Sequence, residues 1–211
     1  MEIVFVESIT STQIALIEGI REGKIKAPFA ILAQFQSAGI GSRDNAWQGQ
    51  KDNFYLSFAL NANELASDLP ISSASIYFAY LMCEHLNSLG SKAWLKWPND
   101  LYLGQEKLGG IITTKLKGTF VCGIGINLIN APQNCAVLDI QISAKILAQG
   151  FLKSLENLRS WKEILSKYSL QFSLCKNFSV HIDGKELSMA CAELQNDGSI
   201  IIDNKKVFSA R

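Results

Sequence analysis

A chain of 211 residues, 48% hydrophobic and 18% charged, has the length for one core plus a small appendage, and its formal net charge of +1 leaves no basic footprint for nucleic acid. No apolar run approaches the ~18 residues of a membrane span, and the opening residues 1–7 lack the basic start of a signal peptide and read as a first strand. Five scattered cysteines without a Cys-x-x-Cys pair, and two histidines, argue against a disulfide framework or structural zinc and for the reduced thiols of a cytoplasmic protein.

After that first strand, Thr10-Ser11-Thr12-Gln13 precedes Ile14, Ile17 and Ile20 at helical spacing, so a Ser or Thr there caps a helix. The same hydroxyls, with the exposed N–H groups of the helix end, could instead face a polar ligand. Residues 30–36 are a buried strand that opens into Ser37-Ala38-Gly39-Ile40-Gly41-Ser42-Arg43 and runs on to Trp47. Two glycines one residue apart let a backbone approach a phosphate. Neither a Rossmann third glycine nor a Gly-Lys-Ser/Thr follows, and the next element, residues 53–60, is a strand. The loop is therefore a hairpin connection or, with Arg43, an anion site.

Residues 72–89 form the clearest helix, with Gly90 as its stop. Cys83 and His85 on this helix diverge too far for a catalytic pair. The strand Trp94–Trp97 then places Trp94 and Lys96 on one face and Leu95 and Trp97 on the other. Pro98-Asn99-Asp100 must turn. Lys96 is either a cation kept for an anionic ligand or an edge lysine snorkelling to water.

Residues 107–116 and 119–128 read as paired strands around Lys117-Gly118. Gly109 and Gly110 facing Gly123 and Gly125 would leave a floor without side chains, for a ligand or a packed helix, and Asn127 ends the second strand. Residues 130–141 look irregular, and residues 143–172 helical with an interruption at Gly150. From about Cys175 short strands with turns at Asp183-Gly184 and Asn196-Asp197-Gly198 indicate a second, all-β module. The domain division expected is 1–174 and 175–211.

A lysine, a glycine-rich loop with an arginine, hydroxyls at a helix start and a glycine floor suit the joining of two anions, such as a carboxylate and a nucleotide phosphate. These repel, so attack on phosphorus needs a fixed cation between them and donors on the developing charge. The parts point to acyl-adenylate formation.

The order of Ser11-Thr12, Gln36-x-x-Gly39-x-Gly41…Trp47, Lys96-Trp97-Pro98-Asn99-Asp100, Lys107-Leu108-Gly109-Gly110-Ile111 and Gly123-Ile124-Gly125-Ile126-Asn127 resembles the biotin protein ligases, or biotin–[acetyl-CoA-carboxylase] ligases. The resemblance implies an α+β fold of the class II aminoacyl-tRNA synthetase/biotin ligase type, with a mixed, largely antiparallel sheet and a small SH3-like C-terminal barrel. It implies formation of biotinyl-5′-adenylate from biotin and ATP with Mg²⁺, then transfer of biotin to a lysine of a biotin carboxyl carrier protein. Ser11, Thr12 and Gln36 would hold the ureido head, Gly39 and Gly41 the ligand loop, and Gly110, Gly123 and Gly125 the biotin slot. Lys96 would bridge carboxylate and α-phosphate, Lys107 would meet phosphate, and Asn127 the nucleoside end. No protein metal ligand is assigned.

The loop departs from the family pattern Gly-Arg-Gly-Arg-x-x-Arg-x-Trp: Ile40, Ser42 and Asn45 stand at the arginine positions, and Arg43 lies one position off. Arg43 is the expected substitute clamp. Gln13 stands where Asn is common. Since the chain opens on the catalytic strand, neither a DNA-binding domain nor repressor activity is expected, and the molecule should be a monomer or weak homodimer. A lipoate or octanoate ligase is the enzymatic alternative, and a non-catalytic biotin-binding module the other.

Overall fold

The computed structural model describes residues 1–42, 46–47, 49–182 and 184–208. In chain order its elements are β1 (Glu2–Ile9), α1 (Thr12–Arg21), β2 (Phe29–Gln36), the short β3 (Gly39–Ile40) and β4 (Ala46–Trp47), β5 (Phe54–Asn61), α2 (Ala74–Ser88), β6 (Trp94–Lys96), β7 (Asp100–Leu103), β8 (Glu106–Leu116) and β9 (Thr119–Ile126). There follow α3 (Ala144–Ser154), α4 (Trp161–Gln171), β10 (Ser179–Ile182), β11 (Lys185–Ser188), β12 (Glu193–Leu194), β13 (Ile200–Ile202) and β14 (Lys205–Val207).

A seven-stranded sheet in the order β1-β2-β5-β9-β8-β7-β6 organises the chain. β1 and β2 run parallel, because α1 crosses between them, and every other neighbouring pair is antiparallel. The mixed, largely antiparallel α+β architecture is as expected. Helix α1 lies on one face over β2, β5 and β9, while α2 crosses the other face over β6, β7 and β8, with α3 and α4 packed on it. This explains the unbroken apolar run of β5, whose residues Phe54–Leu60 are all buried: layers cover both faces. Period-2 alternation sorts the core accordingly, Ile31, Ala59 and Val121 joining Leu16 of α1, and Leu32, Phe58 and Phe120 joining α2 and α3.

Helix α1 is shorter than the face it covers. Beyond its N-terminus one row of cross-strand partners is left open: Tyr55 opposite Gly125, Gly125 opposite Gly110, Gly110 opposite Asp100 and Asp100 opposite Lys96. Directly opposed residues share a face, so this row is the floor of a site.

The long helical stretch differs from expectation in where it breaks. Gly150 continues α3, and the interruption comes at 155–160, where a 3₁₀ turn, Leu155–Asn157, ends and Ser160 caps α4 through Glu163 N. Gly150 has a packing reason instead, since a Cβ there would lie 3.0 Å from His85 Nε2 on α2. Beyond residue 178 a two-stranded sheet, β10-β11, and a three-stranded one, β12-β13-β14, are formed. The turn expected at 196–198 joins β12 to β13, while Asp183 of the other expected turn lies outside the described residues. Val180, Ile182, Met189, Ile200, Ile202 and Val207 pack into the same core as the helices. Among the described residues no helix is long and apolar enough to cross a membrane.

Candidate active site

The N-terminus of α1 points into a cavity on the open face of the sheet. Ser11 is its N-cap, accepting Ile14 N at 3.4 Å. Thr12 follows, giving its backbone N–H to Gln36 Oε1 at 2.7 Å and its hydroxyl to the same oxygen at 2.9 Å. That spends the Thr12 proton, so the Ser57 hydroxyl, 2.8 Å away, is the donor to Thr12 Oγ1. Gln36 Oε1 is thereby doubly occupied and its Nε2 is turned toward Gly39, 3.0 Å from where a Cβ would stand. Two of the helix-end amides expected to serve a ligand, those of Thr12 and Ile14, are consumed in the protein, while Ser11, Thr12 and the far end of Gln36 still line the cavity.

Around this corner the wall is completed by Gln13, Gly41, Ile112 and Trp47, and the floor by Gly110, Gly123 and Gly125. Each floor glycine has its own reason. A Cβ on Gly123 would meet Gln13 Oε1 at 2.7 Å, and one on Gly125 the Trp47 indole at 2.8 Å. A Cβ on Gly110 would make only ordinary contacts, the nearest with Asp100 at 3.4 Å, so there a side chain would simply fill the site. Gly109 is not part of the floor: its missing side chain faces the Gly125 carbonyl, 2.5 Å from a Cβ position. Gln13 donates Nε2 to Val121 O at 3.3 Å, while its buried Oε1 has no partner among the described residues.

At the opposite wall Lys107 reaches Asp100 at 2.6 Å and lies over the Trp47 ring at 5.9 Å. Strict alternation would set Lys107 and Gly110 on opposite faces. A register shift between Leu101 and Tyr102 absorbs one residue of β8 and pairs Lys107 with Tyr102, which brings its side chain to the cavity. Lys96, next in the row after Asp100, does not line the cavity: its ammonium lies over the rings of Tyr102 and Phe178, at 5.4 and 5.7 Å from their centroids. Trp97 and Leu95 on the reverse face are buried at 1% and 0% exposure, so the face assignment read from alternation holds. Asn127 also stands off the wall, its Nδ2 held by Ala136 O at 3.1 Å. Arg43 lies outside the described residues.

Sequence reasoning passed over several contributors. Ser57 is the lone aliphatic hydroxyl in the apolar run of β5, a signal that could have marked it. Asn53 opens that strand and gathers the amides of Leu128, Ile129 and Asn130 on one oxygen, at 2.9, 3.0 and 3.2 Å, fixing the chain after β9. The Tyr55 hydroxyl both donates to and accepts from the Gln50 backbone at 2.7 Å, tethering the segment after Trp47, and burial pushes its pKa upward. Asn99 holds Ile111 O at 2.6 Å, tying the turn before Asp100 to β8. Among the described residues no group of three or more His, Cys, Asp or Glu side chains gathers to hold a metal. The arrangement offers hydrogen-bonding groups at one end, a flat floor, and the Lys107 ammonium at the other.

The model of the biotin/lipoate A/B protein ligase family matches residues 5–129. The bifunctional ligase/repressor BirA of Escherichia coli is 35% identical over 115 residues, 51% of this chain and 35% of that protein. This chain thus spans about a third of the length of that curated relative. A crystal structure of biotin acetyl coenzyme A carboxylase synthetase from Helicobacter pylori with bound biotinylated ATP superposes with a TM-score of 0.93 at 45% identity, over 98% of this chain and 99% of that one. Biotin protein ligase from Aquifex aeolicus, in complex with biotin and ATP, shares the fold, with a TM-score of 0.78 at 22% identity over 99% and 96% of the two chains.

Proposed function

The chain belongs to the biotin/lipoate A/B protein ligase family, and from that membership we propose that it joins biotin to a lysine of a biotin carboxyl carrier protein at the expense of ATP. The observation that carries this reading is the likeness, at 45% identity over 98% of the chain, to a ligase crystallised with biotinylated ATP. It is supported by the convergence of Ser11, Thr12, Gln36 and the three floor glycines on one cavity.

In this reading the bicyclic head lies at the α1 end, where Ser11, Thr12, Gln36 and the backbone at Gly39 hold it, and its body lies on Gly110, Gly123 and Gly125. A carboxylate oxygen then attacks the α-phosphorus of ATP, which enters as its Mg²⁺ complex, and pyrophosphate leaves. Two anions must approach, and a cation beside them lowers that repulsion most in a water-poor site. Lys96 is assigned that bridging role, its ammonium presented beside Tyr102 and Phe178 on the same face as Asp100 and the floor. Lys107 and the backbone at Gly41 take the phosphates, with Arg43 assigned beside them. Asn127 serves the nucleoside end through the 127–138 segment it braces. In the second step the carrier's lysine amine attacks the acyl carbon, AMP departs with the carboxyl oxygen, and the amine loses a proton. The small sheets after residue 178 are read as the SH3-like module, with its boundary near 175.

The test is pyrophosphate release from ATP and Mg²⁺ with biotin, lipoate or octanoate supplied separately. Release with biotin alone is expected. Release only with lipoate or octanoate would move the chain to the other branch of the family, and binding of biotin without release would leave a non-catalytic module. Lys96→Ala should slow adenylation by about 10²–10³-fold, and a near-normal rate would remove Lys96 from its role.

A further inference from the structure

β6 is three residues long and forms the edge of the large sheet, so only β7 pairs with it there. Its outward backbone groups are taken by a thiol: Cys175 Sγ accepts Trp97 N at 3.4 Å and contacts Leu95 O at 3.7 Å, immediately either side of Lys96. Burial raises the Cys175 pKa, so the neutral thiol keeps its proton for this contact. Three residues on, Phe178 reaches round to the cavity face. Its ring meets Trp94 at 5.3 Å and Tyr102 at 5.2 Å, and these two meet each other at 5.4 Å, a three-ring cluster built on residues of β6, β7 and the tail. The backbone of Phe178 is pinned on both sides, N to Cys175 O at 3.0 Å and O from Met189 N at 2.9 Å. The Lys96 ammonium rests over two of these rings. A ring face attracts a cation through its quadrupole.

We infer that Phe178 is a positioning residue for Lys96: with Tyr102 its ring forms a seat that holds the ammonium on the cavity face, ready for an anionic ligand. This rests on the catalytic role proposed for Lys96. It makes the segment after residue 174 part of the working site, because a side chain far along the chain helps to orient Lys96.

The experiment is the adenylation rate, with kcat and KM separated for biotin and ATP, in proteins carrying phenylalanine, monofluoro- or trifluorophenylalanine at 178, and in Phe178→Leu. Fluorination withdraws charge from the ring face and nearly preserves its shape. The seat predicts a stepwise fall in kcat to about threefold to tenfold, KM for biotin constant within twofold, and no further fall when Phe178→Leu is added to Lys96→Ala. A kcat insensitive to fluorination, or an effect of Phe178→Leu that persists undiminished in the Lys96→Ala background, overturns the seat. A near-normal Lys96→Ala rate would instead remove the catalytic reading on which it rests. Phe178 is half-buried, and the fluorinated proteins keep the test open should Phe178→Leu fold poorly.

Discussion

Gln36 serves the fold with one end of its side chain and, in the proposed function, a ligand with the other. Its oxygen satisfies both Thr12 donors, and its nitrogen is left for the cavity. Gln36→Ala should lose about 1–3 kcal/mol of stability, the cost of leaving a buried donor unpaired, and should also weaken biotin binding. Gln36→Glu keeps the acceptor beside a helix N-terminus that favours negative charge, so thermal denaturation should find it near wild type while the KM for biotin rises at least about tenfold, the scale of a lost hydrogen bond to a site group. The floor glycines divide likewise. Gly123→Ala meets the Gln13 side chain, which can shift, and should raise KM for biotin in a folded protein. Gly109→Ala meets the Gly125 carbonyl at 2.5 Å, backbone that cannot yield cheaply, and should lower the melting temperature.

Helices α2 and α3 approach closely because Gly150 faces His85. The imidazole is half-buried, its buried Nε2 has no partner among the described residues, and desolvation lowers its pKa below the ordinary value. The fold therefore accepts the neutral ring. Its folded pKa being the lower one, stability from this contact is complete above the unfolded value of about 6.5 and is lost as pH falls from there through the folded value. Melting temperature measured between about pH 7 and pH 5 should fall less steeply for His85→Gln than for wild type. Equal slopes would mean that the ring charges without cost.

Across the whole molecule the turn at 196–198 hydrogen-bonds the C-terminal sheets to the rest of the chain. Trp97 Nε1 donates to Gly198 O at 2.9 Å, Trp161 Nε1 to Asn196 O at 2.8 Å, and the Ser73 hydroxyl to Asp197 O. Three successive carbonyls thus have donors from β6, α2 and α4, or the residues beside them. Gly198 has a φ of +77°, and a Cβ there would stand 2.5 Å from Ser73 Oγ and 3.0 Å from the Trp161 ring. Gly198→Ala combines backbone strain with collision, and Trp97→Phe strands a buried acceptor, at about 1–3 kcal/mol. Calorimetry should find each variant melting earlier in one transition, because the two parts share a core. A separate early transition would mean that the C-terminal sheets unfold by themselves.

Much of this was already written locally in the chain. The cap at Ser11, the helix stop at Gly90, the alternation of Trp94 to Trp97 and the glycines of β8 and β9 are decided by neighbours within a few residues, where propensity and period speak directly. Helix α1, the pairing of β8 with β9 that carries the floor glycines, and the family pattern were legible for that reason. Tertiary structure decided what depends on distant partners. The bulge at residues 107–109 turned Lys107 to the cavity, against its period. Burial against His85 let Gly150 remain helical, and Phe178, far along the chain, came to lie beneath the Lys96 ammonium. A lysine in a short edge strand carries no local signal for where its charge will rest; that depends on groups packed around it from elsewhere in the chain, these rings among them.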